Sequence, residues 1–417
     1  MSAPAATQAL RIDQARLIER LDQLAQIGPI DGGGSCRLAL TDDDRRGRDL
    51  VVSWMRELGM AVHIDAIGNV FGVRAGTREL PPVMTGSHID TVRTGGRYDG
   101  NLGVIGGLEV VQTLNDAGIE TERPIVVAFF TDEEGARFAP DMLGSLVYVG
   151  GMALDEALDV RGIDGARLGD ELERIGYAGS APMTTLKPAA FVELHIEQGP
   201  VLDAEGLTIG AVEDLQGISW QELTITGQSN HAGTTPMRLR HDAAYAAAAV
   251  ANFVRQLTRE MGGSQVATVG KIDLHPNLIN VIAARARLTV DLRNTDETLL
   301  QQAEQRLGDF LQQLAKDEGV TIESRQLARF EPVIFDAGVV QRIEAVTSRL
   351  GYSQRRITSG AGHDAQMLAR ICPTAMIFVP SIKGISHNPA EHTEPADLAA
   401  GGNVLLHTLL ELASQET

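Results

Sequence analysis

The 417 residues carry 36 basic and 55 acidic side chains, so the formal net charge is 36 − 55 = −19, in a chain that is 43% apolar and 22% charged. That balance is globular, and the acidic excess argues against nucleic acid or an anionic membrane as a partner. No stretch reaches the roughly 20 apolar residues of a spanning helix, Met1–Leu10 lacks the basic start and apolar run of a signal peptide, and Cys36 and Cys372 have no CxxC neighbour; a cytoplasmic protein is expected.

Apolar spacing predicts helices over residues 12–27 and 43–58. Between them Asp31-Gly-Gly-Gly-Ser35 reads as a flexible loop, because it lacks both the Gly-Lys-Ser/Thr ending and the preceding strand of a phosphate loop. Short strands over 62–66, 69–74 and Val83–Ser87 follow, then a polar Gly-rich loop and a helix from Leu102 to Ala117. Pro124–Phe130 and Ala189–His195 are apolar runs of the kind found in strands buried on both faces. Strands alternating with helices imply an α/β sheet covered on both sides.

The pattern changes after about residue 214. Ile218–Thr226 reads as a strand, His241–Glu260 as a long helix and Val266–Asp273 as a strand. Arg285–Arg293 alternates Ala286, Leu288, Val290 and Leu292 with polar residues, the clearest strand in the chain. A helix with Leu300, Ala303, Leu307, Phe310, Leu311 and Leu314 on one face leads to a strand at Val320–Ser324. The order β-α-β-β-α-β is the split arrangement of a ferredoxin-like domain. A helix near 337–350, a strand near Ala375–Pro380 and a helix near 396–414 restore the α/β style. The expected fold is therefore a discontinuous α/β domain, 1–213 and 331–417, with an α+β domain, 214–330, inserted.

Histidines and acids gather at the predicted strand ends. His88 closes a buried strand with Asp90 two residues on, and a metal-bound histidine commonly gives its second ring N–H to such a carboxylate. Asp99-Gly100 is a turn signal just ahead of a helix. Asp132-Glu133-Glu134 follows an apolar strand, where ligands of α/β proteins sit. One of the glutamates could ligate a cation while the other faces water. His195 and His387 also lie at or just after apolar strands. Each cluster alone also fits a turn or a solvated loop. Together, three histidines and two carboxylates at strand ends fit a dinuclear hydrolytic centre.

The segments GSHIDTV, YDGN, DEEG, ELHIEQG, SNHAGTTPM, SGAGHDA and GISHNPAEHT, in this order from about residue 30 to 400, resemble the M20 metallopeptidase-like amidohydrolases. Within them the resemblance is to the amidase, hydantoinase/carbamoylase branch, which holds N-carbamoyl-L-amino-acid hydrolases, allantoate amidohydrolases and β-ureidopropionases. It implies a di-metal α/β catalytic domain with an inserted lid or dimerisation domain and a homodimer. It implies two divalent cations per subunit, zinc or manganese, with cobalt or nickel also suited to N/O ligation. His88, Asp99 and His195 would hold one, and Asp99, Glu134 and His387 the other, with Asp90 orienting His88. Glu133 would be the general base and His231 would stabilise the oxyanion. Asn280 and Arg293 would grip the carboxylate of a small ureido substrate, with Gln216 and Gly360 as further contacts. His392 is passed over in favour of His387, and His363 is read as pocket wall. The competing readings are an aminoacylase or peptidase of the same superfamily and a non-catalytic binding protein with the same fold.

Overall fold

The computed structural model describes residues 9–182 and 187–414. Most of the Ala-rich N-terminal segment lies outside them. The chain divides into two compact units, Met1–Glu213 with Phe335–Thr417, and Asp214–Ile334.

The first unit starts with helices α1 (Gln14–Ala25) and α2 (Asp42–Glu57). Asp13 and Thr41 cap them with side-chain oxygens on free backbone amides, and Asp42, Asp43 and Asp44 occupy the first turn of α2, where negative charge suits the helix dipole. Strands β1 (Ala61–Ile64), β2 (Val70–Arg74) and β3 (Val83–His88) lead to α3 (Asn101–Asp116), then β4 (Ile125–Phe130), β5 (Ala190–Ile196) and β6 (Ile209–Leu215). Short helices at Leu143–Tyr148, Leu154–Leu158 and Leu168–Ile175 fill the long β4–β5 connection.

The second unit runs β7 (Gly217–Thr226), α4 (Ala243–Met261), β8 (Val266–His275), β9 (Arg285–Asn294), α5 (Glu297–Glu318) and β10 (Thr321–Phe330). Its antiparallel sheet has the order β10-β7-β9-β8, the ferredoxin-like arrangement. One face is apolar because β9 alternates: Ala286, Leu288, Val290 and Leu292 are buried against Ala246, Val250 and Val254 of α4 and Leu300, Leu307 and Leu311 of α5. The opposite face carries Arg285, Arg287, Asp291 and Arg293.

The chain returns through β11 (Val333–Ile334), α6 (Ala337–Leu350), β12 (Gln354–Ser359), α7 (Asp364–Leu368), β13 (Thr374–Val379) and α8 (Pro395–Ala413). The large sheet has the order β1-β2-β4-β3-β5-β13-β6-β11, with β12 also on β6. Its centre, β4-β3-β5-β13, is parallel. Every residue of these four strands is buried, the apolar ones and also Thr85, Ser87, His88, Glu193, His195 and Thr374. Parallel alignment brings their carboxyl ends, at His88, Phe130, Ile196 and Val379, to one edge. Among the described residues no helix is long and apolar enough to cross a membrane.

Candidate metal centre

The loops leaving that edge carry the histidines and acids. His88 is the last residue of β3, and His195 lies one residue before the end of β5. Glu133 and Glu134 follow β4, and His387 sits in the loop after β13. Asp99 precedes α3. Gly100 between them has φ +67°, and a Cβ there would lie 2.3 Å from the His88 ring, so only glycine lets the two residues approach this closely.

The Asp99 carboxylate stands at the middle. Its Oδ1 lies 3.2 Å from His195 Nε2 and 3.6 Å from His88 Nε2. Its Oδ2 lies 3.4 Å from His387 Nε2, which is 3.3 Å from Glu134 Oε2. One ligand atom each from His88, Asp99 and His195 lie within 4.8 Å of one another, as do those from Asp99, Glu134 and His387. Glu133 Oε2 is 3.4 Å from His88 Nε2. Both buried imidazoles turn Nδ1 to a main-chain carbonyl, His88 to Asp90 at 2.9 Å and His195 to Ile196 at 2.8 Å. Such a bond holds the ring with Nε2 facing the cluster.

Asp90 acts differently from the expectation. Its carboxylate is 3.9 Å from His88 Nδ1, and the ring is tied instead to its backbone oxygen. The carboxylate oxygens accept the amides of Glu133 and Glu134, 3.3 Å each, and so brace the loop after β4. His363, expected as pocket wall, is buried. Its ring lies 4.5 Å from that of His195, and its Nε2 is 3.1 Å from Ser359 Oγ. Three supporting residues stand inside the segments ELHIEQG and GISHNPAEHT but were given no role there. Gln198 Nε2 donates to Asp99 Oδ2 at 2.9 Å, Ser386 Oγ is 3.1 Å from the same oxygen, and Glu391 accepts the Tyr98 and Asp99 amides. Their types carry no signature; only the fold brings them to Asp99.

The electrostatics are those of an acid-rich pocket. Burial lowers the His88 pKa, but Glu133 and Asp99 outweigh it and hold the ring well above its ordinary value. Burial opposes ionisation of Asp99, yet bonds from His195, His387 and His88 keep its pKa well below the usual range. Bonds to Asp99 and Glu134 push His387 up to about 10. Burial raises Glu133 well above a normal glutamate, Asp90 to about 6 and Glu391 to about 7. Asp132, Glu193 and Asp364 are buried nearby as well. So many acids in so little water are costly unless cations balance them. The N/O donor set and this anionic excess suit two divalent metal ions.

Of the remaining expected residues, His231, Asn280 and Arg293 belong to the second unit, Gln216 to its start and Gly360 to the first unit. His231 is exposed, and its Nδ1 accepts the amides of Gly233 at 3.0 Å and Thr234 at 3.2 Å. A neutral ring with Nδ1 accepting must carry its proton on Nε2, a ready donor. A bridge between His231 and Val281, and a bond from the Ala232 amide to the Asn280 carbonyl, join the two loops. Arg293 lies on the polar face of β9, its guanidinium held by Asp291 and 5.9 Å from the Trp220 ring. Gln216 joins β6 to β7, and Gly360 follows β12.

Parallel strands that end in a histidine–carboxylate cluster of this kind are those of a metallohydrolase. The chain belongs to the peptidase family M20/M25/M40, whose pattern matches residues 84–411. It is similar to an N-carbamoyl-L-amino-acid amidohydrolase of Rhizobium meliloti, 42% identical over 414 residues and spanning 99% of each chain. It is also similar to the allantoate amidohydrolase of Escherichia coli K12, 35% identical over 402 residues, 95% of this chain and 98% of the other. Among solved structures, an amidase of the hydantoinase/carbamoylase family from Burkholderia multivorans matches with a TM-score of 0.95 and 47% identity, over 98% of this chain and 100% of that one.

Proposed function

We propose that this protein hydrolyses a ureido C–N bond of an N-carbamoyl-L-amino acid or of allantoate, releasing ammonia and CO2. The observation that carries the reading is Asp99, whose two carboxylate oxygens face separate histidines with Glu133 alongside. Full-length similarity to N-carbamoyl-L-amino-acid and allantoate amidohydrolases supports the substrate class.

In this reading His88, Asp99 and His195 hold one divalent cation, and Asp99, Glu134 and His387 the second, zinc or manganese before cobalt or nickel. Bound there, the pair supplies Lewis acidity toward the ureido carbonyl and makes water more acidic. Glu133 takes the proton of the attacking water and passes it to the leaving nitrogen. The Nε2–H of His231 stabilises the oxyanion. Arg293, with Asn280, takes the substrate carboxylate, a geometry that a planar guanidinium meets in bidentate fashion. Asp291 and Trp220 orient that guanidinium beforehand. Gln216 and Gly360 are further substrate contacts. We also propose that the second unit, residues 214–330, serves as a lid and as the surface of a homodimer, and that the enzyme works in the cytoplasm.

The test is ammonia release by the metal-reconstituted protein from allantoate and a panel of N-carbamoyl-L-amino acids. N-acetyl amino acids and a dipeptide, followed by amine detection, are the controls. Turnover of ureido compounds alone is expected. Turnover confined to the controls would move the protein to the aminoacylases or peptidases.

A further inference from the structure

Glu391 has no place in the reaction above, yet it is among the most deliberately housed side chains near the cluster. It lies four residues past His387 and is 4% exposed. Its Oε1 accepts the amides of Tyr98 at 2.9 Å and Asp99 at 3.2 Å. Its Oε2 lies 3.2 Å from the hydroxyl of Ser386, the neighbour of His387. The backbone leaves room for it, because a Cβ at Gly96 would come within 2.1 Å of Oε1. A carboxylate this buried is kept only where donors replace its lost water, and here three do.

These contacts span two loops that are otherwise remote in sequence. One carries Asp99 into α3, and the other carries His387 away from β13. The Ser386 hydroxyl extends the link, since it also reaches Asp99 Oδ2 at 3.1 Å. A hydroxyl has one proton, so it serves Glu391 or Asp99 at any moment. By contrast, His88 and His195 stand on β3 and β5, whose register does not depend on these loops.

We propose that Glu391 is a positioning residue that clamps the Asp99 loop to the His387 loop and thereby builds the second cation site, formed by Asp99, Glu134 and His387. The inference rests on the two-metal reading given above. Loss of the clamp lets the His387 loop drift away, while the Asp99 loop stays tied to β5 through the Gly100 amide, which donates to His195 Nε2 at 3.1 Å, so the first site keeps its three ligands.

Calorimetric titration of Zn2+ into chelator-stripped protein tests this without recourse to activity. Wild-type protein is expected to bind two equivalents per chain. Glu391→Ala should keep one equivalent within about threefold of the wild-type affinity and weaken the other about 10–100-fold, the usual effect of removing a residue that supports a ligand. Its titration should resemble that of His387→Ala. Glu391→Gln should recover most of the loss, because its amide oxygen still accepts both backbone amides and its NH2 can donate to Ser386. Equal weakening of both equivalents, with a lower melting temperature of the stripped protein, would mean a general structural role and overturn the proposal. So would two wild-type affinities in Glu391→Ala. Should that variant not fold, Ser386→Ala decides: a weaker second equivalent upholds the clamp, and an unchanged one overturns it. Wild-type protein that binds fewer than two equivalents overturns the two-metal reading and the clamp with it, whereas two equivalents in wild type and no change in the variants overturns the clamp alone.

Discussion

At the scale of single residues, Asp99 and its glycine neighbour set the geometry. Gly100→Ala would press a methyl group against the His88 ring from a left-handed backbone position. The expected result is folded protein with reduced metal content, read by mass spectrometry of the bound metal. Glu133→Gln removes the proton carrier but none of the ligands. It should bind metal normally and turn over about 10²–10⁴-fold more slowly; near-normal turnover with metal bound would remove Glu133 from its role. Arg293→Ala deletes a charge-assisted contact and should raise KM for carboxylate substrates about 10- to 100-fold with kcat little changed. An unchanged KM would take Arg293 out of the substrate site. The histidines and acids of the cluster were legible in the sequence because their chemistry is rare at the ends of apolar strands. Gln198, Ser386 and Glu391 lie inside the same motif segments, yet their roles were not legible, since what a glutamine, a serine and a loop glutamate do shows only when the fold sets them against Asp99.

Elements differ in how far local sequence decides them. The strand β4 is a continuous apolar run and could be read directly, as could the mostly apolar β5, the apolar start of β3 and the alternation of β9. Strand β12, Gln-Arg-Arg-Ile-Thr-Ser, could not: its arginines are exposed and it is a strand because β6 offers it an edge. Strand β6 was missed because Gly210 and two acids break its apolar run. The turn between β1 and β2 carries a testable charge effect. Asp65 accepts the amides of Ile67 and Asn69 and the Asn69 side chain, but burial wins and raises its pKa to about 6. An acid whose pKa is higher folded than unfolded favours the native state fully below its unfolded value. That contribution is lost as pH rises through the folded value, here from about 4 to about 6. The window corresponds to about 3 kcal/mol. Asp65→Asn cannot titrate, so its stability relative to wild type should improve by up to that amount between pH 4 and pH 7, as measured by urea unfolding. A constant difference across the range would refute the assignment.

For the whole molecule, the proposed ligands His88, Asp99, Glu134, His195 and His387 all belong to the first unit. Chelation should therefore loosen that unit and spare the other. Hydrogen exchange of metal-stripped protein should speed up around β3, β5 and the loop of Glu133, and stay unchanged in β7, β9 and α5. Faster exchange throughout would show that the metals stabilise more than their own unit. The separate antiparallel sheet was legible as a change of pattern, because a ferredoxin-like order of elements is distinctive. The place of β13 in the sheet was not, because neighbours in a sheet need not be neighbours in sequence.

That place governs the order in which the molecule can be made. Strand β13 lies between β5 and β6, yet it begins at Thr374, 374 − 196 = 178 residues after β5 ends at Ile196. A ribosome adding about 5–20 residues each second takes about 9–36 s to cover that distance. Throughout it, the facing edges of β5 and β6 wait without the strand that joins them, while the whole second unit emerges and can fold. Unpaired apolar edges recruit other strands. The nascent chain thus passes through about 9–36 s of exposure that the finished enzyme does not betray, and its yield in a cell depends on what shields that slot.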